Sequence, residues 1–296
     1  VISSDEGMPG LGPPIDVRPL FAEQQAAFIG LLRGLDADEW ARPTVCPGWD
    51  VKDVAAHVLG DHVGRLSRHR DEFPGVGPRT GEPFPVFLDR INAEWVTAAR
   101  RISPAMLVAL LVDVGEQVVA FWQDVDMEAL GGSVSWAGPE AHPVWLDAAR
   151  DFSEYWTHQQ QICDATGRDG LTAPRYLGPV LDTFMRALPH TMRDVRADEG
   201  AVLQVVIQGF GGWACARAAG RWNLRREIVP RPVSVVELDA DTAWRLCTRG
   251  ITPQDAGERA SIQGDRTLAE AALHIVSIIH SGVGGEARRA EEPGSA

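Results

Sequence analysis

Asp151-Phe152-Ser153-Glu154-Tyr155-Trp156-Thr157-His158-Gln159-Gln160-Gln161-Ile162 sets a carboxylate and an imidazole four positions apart, within a run whose apolar residues recur at helical spacing. At about 3.6 residues per turn, positions i and i+4 share a helix face, so Glu154 and His158 can aim an oxygen and a ring nitrogen at one ion. The same spacing also occurs as a solvated ion pair on ordinary helices. A second stretch raises its significance. Cys46-Pro47-Gly48-Trp49-Asp50-Val51-Lys52-Asp53-Val54-Ala55-Ala56-His57 reads as a rigid turn that runs into a helix, with Asp50 as N-cap and Asp53 in an acidic first turn. Val51, Val54, Ala55, Val58 and Leu59 mark the buried face around His57. His57 would then close a triad with Glu154 and His158 from a facing helix. Two histidines and one carboxylate leave positions open for water or substrate, which is how catalytic rather than structural divalent sites are built.

Outward from these stretches, the pattern predicts helices over 15–36, 50–70, 86–101, 104–125 and 144–167, with Gly/Pro-rich loops at 73–85 and 131–143. Ser103-Pro104 opens the fourth of these as an N-cap followed by proline at the first helical position. The character changes after Gly170. A helix is expected over 176–197, strands over 201–207, 221–228 and 233–238, a glycine turn over 209–213, and helices over 240–249 and 266–281. The fold class is therefore α+β: a helical bundle over 15–170, then a smaller α+β domain over 171–282. Residues 1–14 are expected to be a flexible leader and 283–296 a flexible tail.

Composition narrows the function classes. The 296 residues are 45% apolar and 23% charged, the profile of a globular protein. The formal net charge of -13 opposes binding to a phosphate backbone, so no nucleic-acid partner is expected. No uninterrupted apolar run approaches the roughly 18 residues of a membrane span, Ala105 to Val112 being stopped by Asp113. No basic-then-apolar secretory start is visible, so no membrane partner and a cytoplasmic location are expected. Cys46, Cys163, Cys215 and Cys247 are scattered without C-x-x-C spacing and are read as small buried hydrophobes rather than nucleophiles. Phosphate-loop, dinucleotide-fingerprint and serine-elbow motifs are missing.

The Cys46 to His57 stretch, with Glu154-Tyr155-Trp156-Thr157-His158 and then Gln161-Ile162, resembles the DinB-like metalloenzyme superfamily, specifically the mycothiol-dependent maleylpyruvate isomerase family. The likeness extends over most of the chain, since the C-terminal region with Gly264-Asp265 before its last helix is similar to that family's second domain. It implies a DinB-like four-helix bundle that binds a divalent ion, usually zinc, through His57, Glu154 and His158. Mycothiol is implied as cosubstrate. At Gln161 the chain departs from the aspartate frequent in the family.

A metal of this kind can lower the pKa of a bound thiol, which then attacks a small electrophile. Expulsion of the thiol afterwards makes the reaction an isomerisation; its retention makes it an S-transfer. The same ion can activate water, so a metal-dependent hydrolase or tailoring enzyme without thiol is one alternative and a non-catalytic metal-binding or regulatory interaction module is another. The partners expected are a small-molecule substrate and a small thiol, with the oligomeric state open. Weaker candidates for the chemistry are Asp61, one turn past His57, then Arg65 and Arg68 as anion contacts or surface charges, and Arg221, Arg225 and Arg226 near a strand. Trp49, Trp95, Trp122, Trp145 and Trp156 are expected in the bundle core. His62, His69, His142, His190, His274 and His280 have no partner at ligand spacing and are read as structural or exposed.

Overall fold

The computed structural model describes residues 10–278, so most of the expected leader and all of the expected tail, with His280, lie outside the described residues. The N-terminal part is helical and the C-terminal part carries a sheet, the architecture expected from the pattern. The chain divides into two compact units, one of Phe21–Asp124 and His158–Gly170, the other of residues 10–20, Val125–Thr157 and Leu171–Ile278.

The helical unit is built from α1 (Arg18–Arg33), the single turn α2 (Ala37–Trp40), α3 (Val51–Arg65, continued by a π-helical turn over Leu66–Arg70), α4 (Phe84–Ala99) and α5 (Pro104–Asp124). The C-terminal turns of α6 (Val144–Thr166) complete it. Asp36 caps α2 in a capping box with Glu39, and Asp50 caps α3 by accepting the Asp53 amide at 2.8 Å. Upstream of that cap the chain makes a Pro47-Gly48 turn closed by Trp49 N–H to the Cys46 carbonyl at 3.1 Å, with Gly48 at φ +79°, a region that glycine enters without steric cost. α3 packs between α4 and α5. Gly60 makes this possible: a Cβ there would stand 2.7 Å from the Trp95 ring, whose Nε1 donates to the Ala56 carbonyl at 2.7 Å.

α5 is long and apolar enough, by length and composition, to cross a membrane. Its Leu107, Leu111, Gly115, Val118 and Trp122 recur at helical spacing and are buried, while Asp113, Glu116 and Gln117 interrupt the rest of its surface. That is the pattern of a helix with one face in a protein core.

The second unit holds a five-stranded sheet in the order β5-β4-β3-β6-β7, formed by β3 (Val202–Ile207), β4 (Gly211–Ala218), β5 (Arg221–Arg225), β6 (Ser234–Leu238) and β7 (Ser261–Gly264). Only the β3–β6 pairing is parallel. Between and around these strands run α7 (Pro174–Met185), α8 (Leu188–Met192), α9 (Ala240–Cys247), α10 (Pro253–Arg259) and α11 (Arg266–Ala272). The small hairpin of β1 (Leu130–Ser133) and β2 (Ala141–Pro143) belongs to the same unit. At its N-terminal edge, part of the expected leader is fixed: Leu11 is buried, its carbonyl accepts Arg186 Nη1, and the Gly10 carbonyl accepts the Leu224 amide at 2.8 Å.

Several local expectations need correction. The helix expected over 176–197 is broken into α7 and α8, because Pro189 lacks the N–H that would bond back to Met185 and its ring crowds that carbonyl. The stretch read as a glycine turn over 209–213 in fact enters β4, whose Gly212, Trp213, Ala214 and Cys215 are all buried. Glycine and alanine carry little strand propensity, and here a Cβ on Gly212 would lie 2.8 Å from Gln204 Nε2 and 2.7 Å from the Ile228 side chain. The hairpin over 130–143 was likewise expected as loop. The last helix stops at Ala272 rather than 281, where Ser277 leaves the helical path to donate its amide to the Cys247 carbonyl and its hydroxyl to the Phe184 carbonyl.

Candidate metal centre

α3 and α6 bring the residues together. One ligand atom from each of His57, Asp61, Glu154 and His158 lies within 4.8 Å of the other three. The His57 and His158 rings stand edge to face with centroids 4.6 Å apart, and both residues are buried, at 5% and 8% exposure. Glu154 sits one turn before His158 on the same uninterrupted helix. Asp61 Oδ2 is 3.4 Å from His57 Nε2. The sequence ranked Asp61 below the triad; the structure places it among the convergent atoms, because positions 57 and 61 share one face of α3.

The α6 backbone tolerates a polar face because its hydroxyls are satisfied locally. Ser153 and Thr157 donate to the Ala149 and Ser153 carbonyls at 2.8 Å, and Thr166 donates to Ile162 at 2.7 Å. Gln161 does more. Its Oε1 lies 2.8 Å from His158 Nδ1 and also accepts the Cys46 thiol at 3.2 Å. An amide oxygen only accepts, so Nδ1 carries the hydrogen and the Nε2 lone pair is the one left for an electrophile. This is the position where the family resemblance leads one to expect aspartate; an amide performs the orienting contact in its place. No spacing rule pointed to Cys46 as a neighbour of this network. Its proximity follows from the Pro47-Gly48 turn folding back over α6.

The donor set fits a divalent ion. Two imidazoles with carboxylate oxygens match the ligand preferences of zinc, iron, nickel or manganese. Trp49, 5.1 Å from the His57 ring, is half-buried and borders this cluster rather than filling a core.

The remaining candidates fall elsewhere. Arg65, expected as an anion contact or a surface charge, is buried with its guanidinium 5.0 Å over the Trp122 ring, a packing role. Arg68 is exposed. Arg221 is exposed on β5; Arg225 ends that strand, 73% exposed, with its guanidinium 3.7 Å from Glu227; Arg226 reaches Asp182 at 3.5 Å and lies over Trp213. None of the three arginines is a member of the convergent group. Trp122 is buried in the helical unit as expected and Trp95 is half-buried; Trp145 and Trp156 are buried instead in the sheet-bearing unit, under the Arg186 guanidinium and against Trp244. His62 and His142 are buried, and burial pushes the His142 pKa down. Burial pushes the thiol of Cys163 up to about 11 and those of Cys215 and Cys247 up to about 12, so these three are inert at neutral pH.

The family model described as mycothiol maleylpyruvate isomerase N-terminal domain matches residues 21–163, from α1 to three residues before the end of α6. The helical region belongs to this family. All four convergent residues fall inside the matched mycothiol maleylpyruvate isomerase N-terminal segment. Crystal structures of the mycothiol-dependent maleylpyruvate isomerase and of a histidine-to-alanine mutant of it superpose with TM-scores of 0.53 and 0.52, at 14% and 13% identity, each over 84% of this chain and 93% of the other. At that identity the likeness is one of fold, and it extends beyond the helical region into the sheet. Two uncharacterized proteins of Mycobacterium tuberculosis are 40% identical over 60 residues, 19% of this chain, and the match spans 33% of the length of those relatives.

Proposed function

We propose that the chain is an enzyme that holds a divalent metal ion, zinc by preference, through His57, Glu154 and His158, and uses it to activate a low-molecular-weight thiol, mycothiol, for isomerisation or S-transfer on a small electrophile. The observation that supports this reading is the convergence of imidazole and carboxylate atoms within 4.8 Å, in the segment that matches the mycothiol maleylpyruvate isomerase N-terminal family. A bound ion would supply Lewis acidity, lowering the pKa of a ligated thiol so that thiolate is present at neutral pH.

The protein's own residues do the rest. Gln161 fixes the tautomer and ring plane of His158, so that Nε2 needs no reorganisation before it binds. Trp49 flanks His57 and limits water on that side. Glu154 is held at ligand spacing by the unbroken α6 helix rather than by a loop, which favours a fixed geometry. The isomerase and the S-transferase differ only in whether the thiol leaves at the end.

The test is metal content per chain by elemental mass spectrometry, beside thiol-dependent turnover. About one ion per chain is expected from three protein ligands. His158→Ala should lose metal and activity together while the far-ultraviolet spectrum is kept. A His158→Ala protein with its full complement of metal would refute the ligand assignment. Turnover unchanged when thiol is omitted would instead favour the hydrolase or tailoring reading.

A further inference from the structure

We propose that Asp61 is a fourth protein ligand of the ion, making the centre a two-histidine, two-carboxylate site rather than the three-residue set that the resemblance implies. This rests on the metal-dependent reading above. Asp61 and His57 are four residues apart on α3, as Glu154 and His158 are on α6, so each helix offers one imidazole and one carboxylate from a single face.

The distance between Asp61 Oδ2 and His57 Nε2 bears on two roles. A carboxylate that orients a ligand histidine does so by a charge-assisted hydrogen bond of about 2.7–2.9 Å. Here the separation is 3.4 Å. Two atoms that bind the same ion at about 2.1 Å in a five-coordinate site, which keeps a position for the thiol beside four protein ligands, are separated by about 3.0–3.6 Å. The observed spacing fits co-ligands of one ion and is longer than an orienting hydrogen bond.

The direction of approach agrees. On His158 the orienting group, Gln161, grips Nδ1, the nitrogen that then points away from the ion. Asp61 approaches His57 at Nε2, the tip of the ring, and belongs to the same group of mutually close ligand atoms as Glu154 and His158. Its side chain is 29% exposed against 7% for His57, which puts it on the more open flank of the cluster. Two carboxylates balance the charge of a divalent ion. Such a site accepts harder ions such as manganese or iron(II) alongside zinc more readily than a site rich in soft ligands.

Loading the full chain with cobalt(II) tests this directly. In a Cys46→Ser background, Asp61→Cys places a thiolate at position 61. Stoichiometric cobalt with a new thiolate-to-cobalt charge-transfer band in the near ultraviolet is expected, and stoichiometric cobalt without that band overturns the proposal. As a second measurement that does not rely on the cysteine variant folding, Asp61→Asn should weaken zinc in a chelator competition by more than a hundredfold; a loss within the 10–100-fold range of an outer partner overturns it. If neither zinc nor cobalt binds the unmodified chain, the metal-dependent reading has failed and the proposal falls with it, an outcome separate from a metal site that lacks Asp61.

Discussion

Replacing Gln161 with leucine places an apolar branched side chain there and removes the acceptor, and the consequence follows from the geometry of the site. His158 loses a 2.8 Å hydrogen bond at Nδ1, and with 8% exposure its ring has little access to water that could replace the bond. Outer partners of metal-bound histidines are worth about 10–100-fold in metal affinity. That is about 1.4–2.7 kcal/mol, and the burial of His158 argues for the upper half of the range. The second contact, from the Cys46 thiol at 3.2 Å, is weak and adds little. The assay is zinc affinity by chelator competition, with the denaturant midpoint as a control for folding. Gln161→Glu supplies a charged acceptor at the same position, and charge-assisted bonds are about twice as strong as neutral ones, so affinity should match or exceed that of the unmodified chain. A folded Gln161→Leu protein whose zinc affinity stays within about threefold, or 0.7 kcal/mol, would show that Gln161 merely packs against the ring.

Other expectations concern stability. The Glu39 carboxyl is held at about 2, against an ordinary 4.5, chiefly by the Arg168 guanidinium that bonds both its oxygens at 3.0 and 2.7 Å. A lowered carboxylate contributes stability that is present above its unfolded value and lost as pH falls through the folded one. Arg168→Met should therefore cost most near neutral pH, with the difference from the unmodified chain shrinking as pH drops from 4.5 towards 2; a difference constant over that window would refute the linkage. Arg186 is 1% exposed, bonds Asp182 at 2.9 Å and anchors the Leu11 carbonyl. Arg186→Met leaves the Asp182 charge buried, which ordinarily costs 3–5 kcal/mol. Because Trp213 Nε1 at 2.7 Å and Arg226 at 3.5 Å still face that carboxylate, about 3 kcal/mol is expected by urea denaturation. A loss below about 1 kcal/mol would show that the pair is not what holds the N-terminal segment.

The amino-acid sequence by itself determined the elements that depend on neighbours close along the chain. Asp50 caps α3 and Ser103-Pro104 opens α5 because capping is a contact between residues three apart, and it is readable wherever the right side chain precedes an apolar period. The Glu154/His158 pair is legible for the same reason: a helix fixes the direction of residues four apart whatever surrounds it. Long-range pairing decided what was misread. β4 is a strand because β3 pairs with Gly212, Ala214 and Ala216 and β5 pairs with the last two from the other side, residues with no strand preference of their own, and α11 ends where Ser277 finds partners at Phe184 and Cys247.

The candidate metal centre divides along the same line. Its members could be named from two helical patterns, yet only the tertiary fold brings the His57 ring to 4.6 Å from that of His158 and makes Asp61 one of four convergent groups rather than a neighbour one turn away. Gln161 and Cys46 are 115 residues apart, and no periodicity predicts that one amide oxygen will receive both a thiol and an imidazole. Which helix faces which is settled by apolar burial and close approaches such as Gly60 against Trp95. Those energies belong to the folded chain as a whole, so the sequence states which atoms are suited to the ion and the tertiary structure states which of them meet.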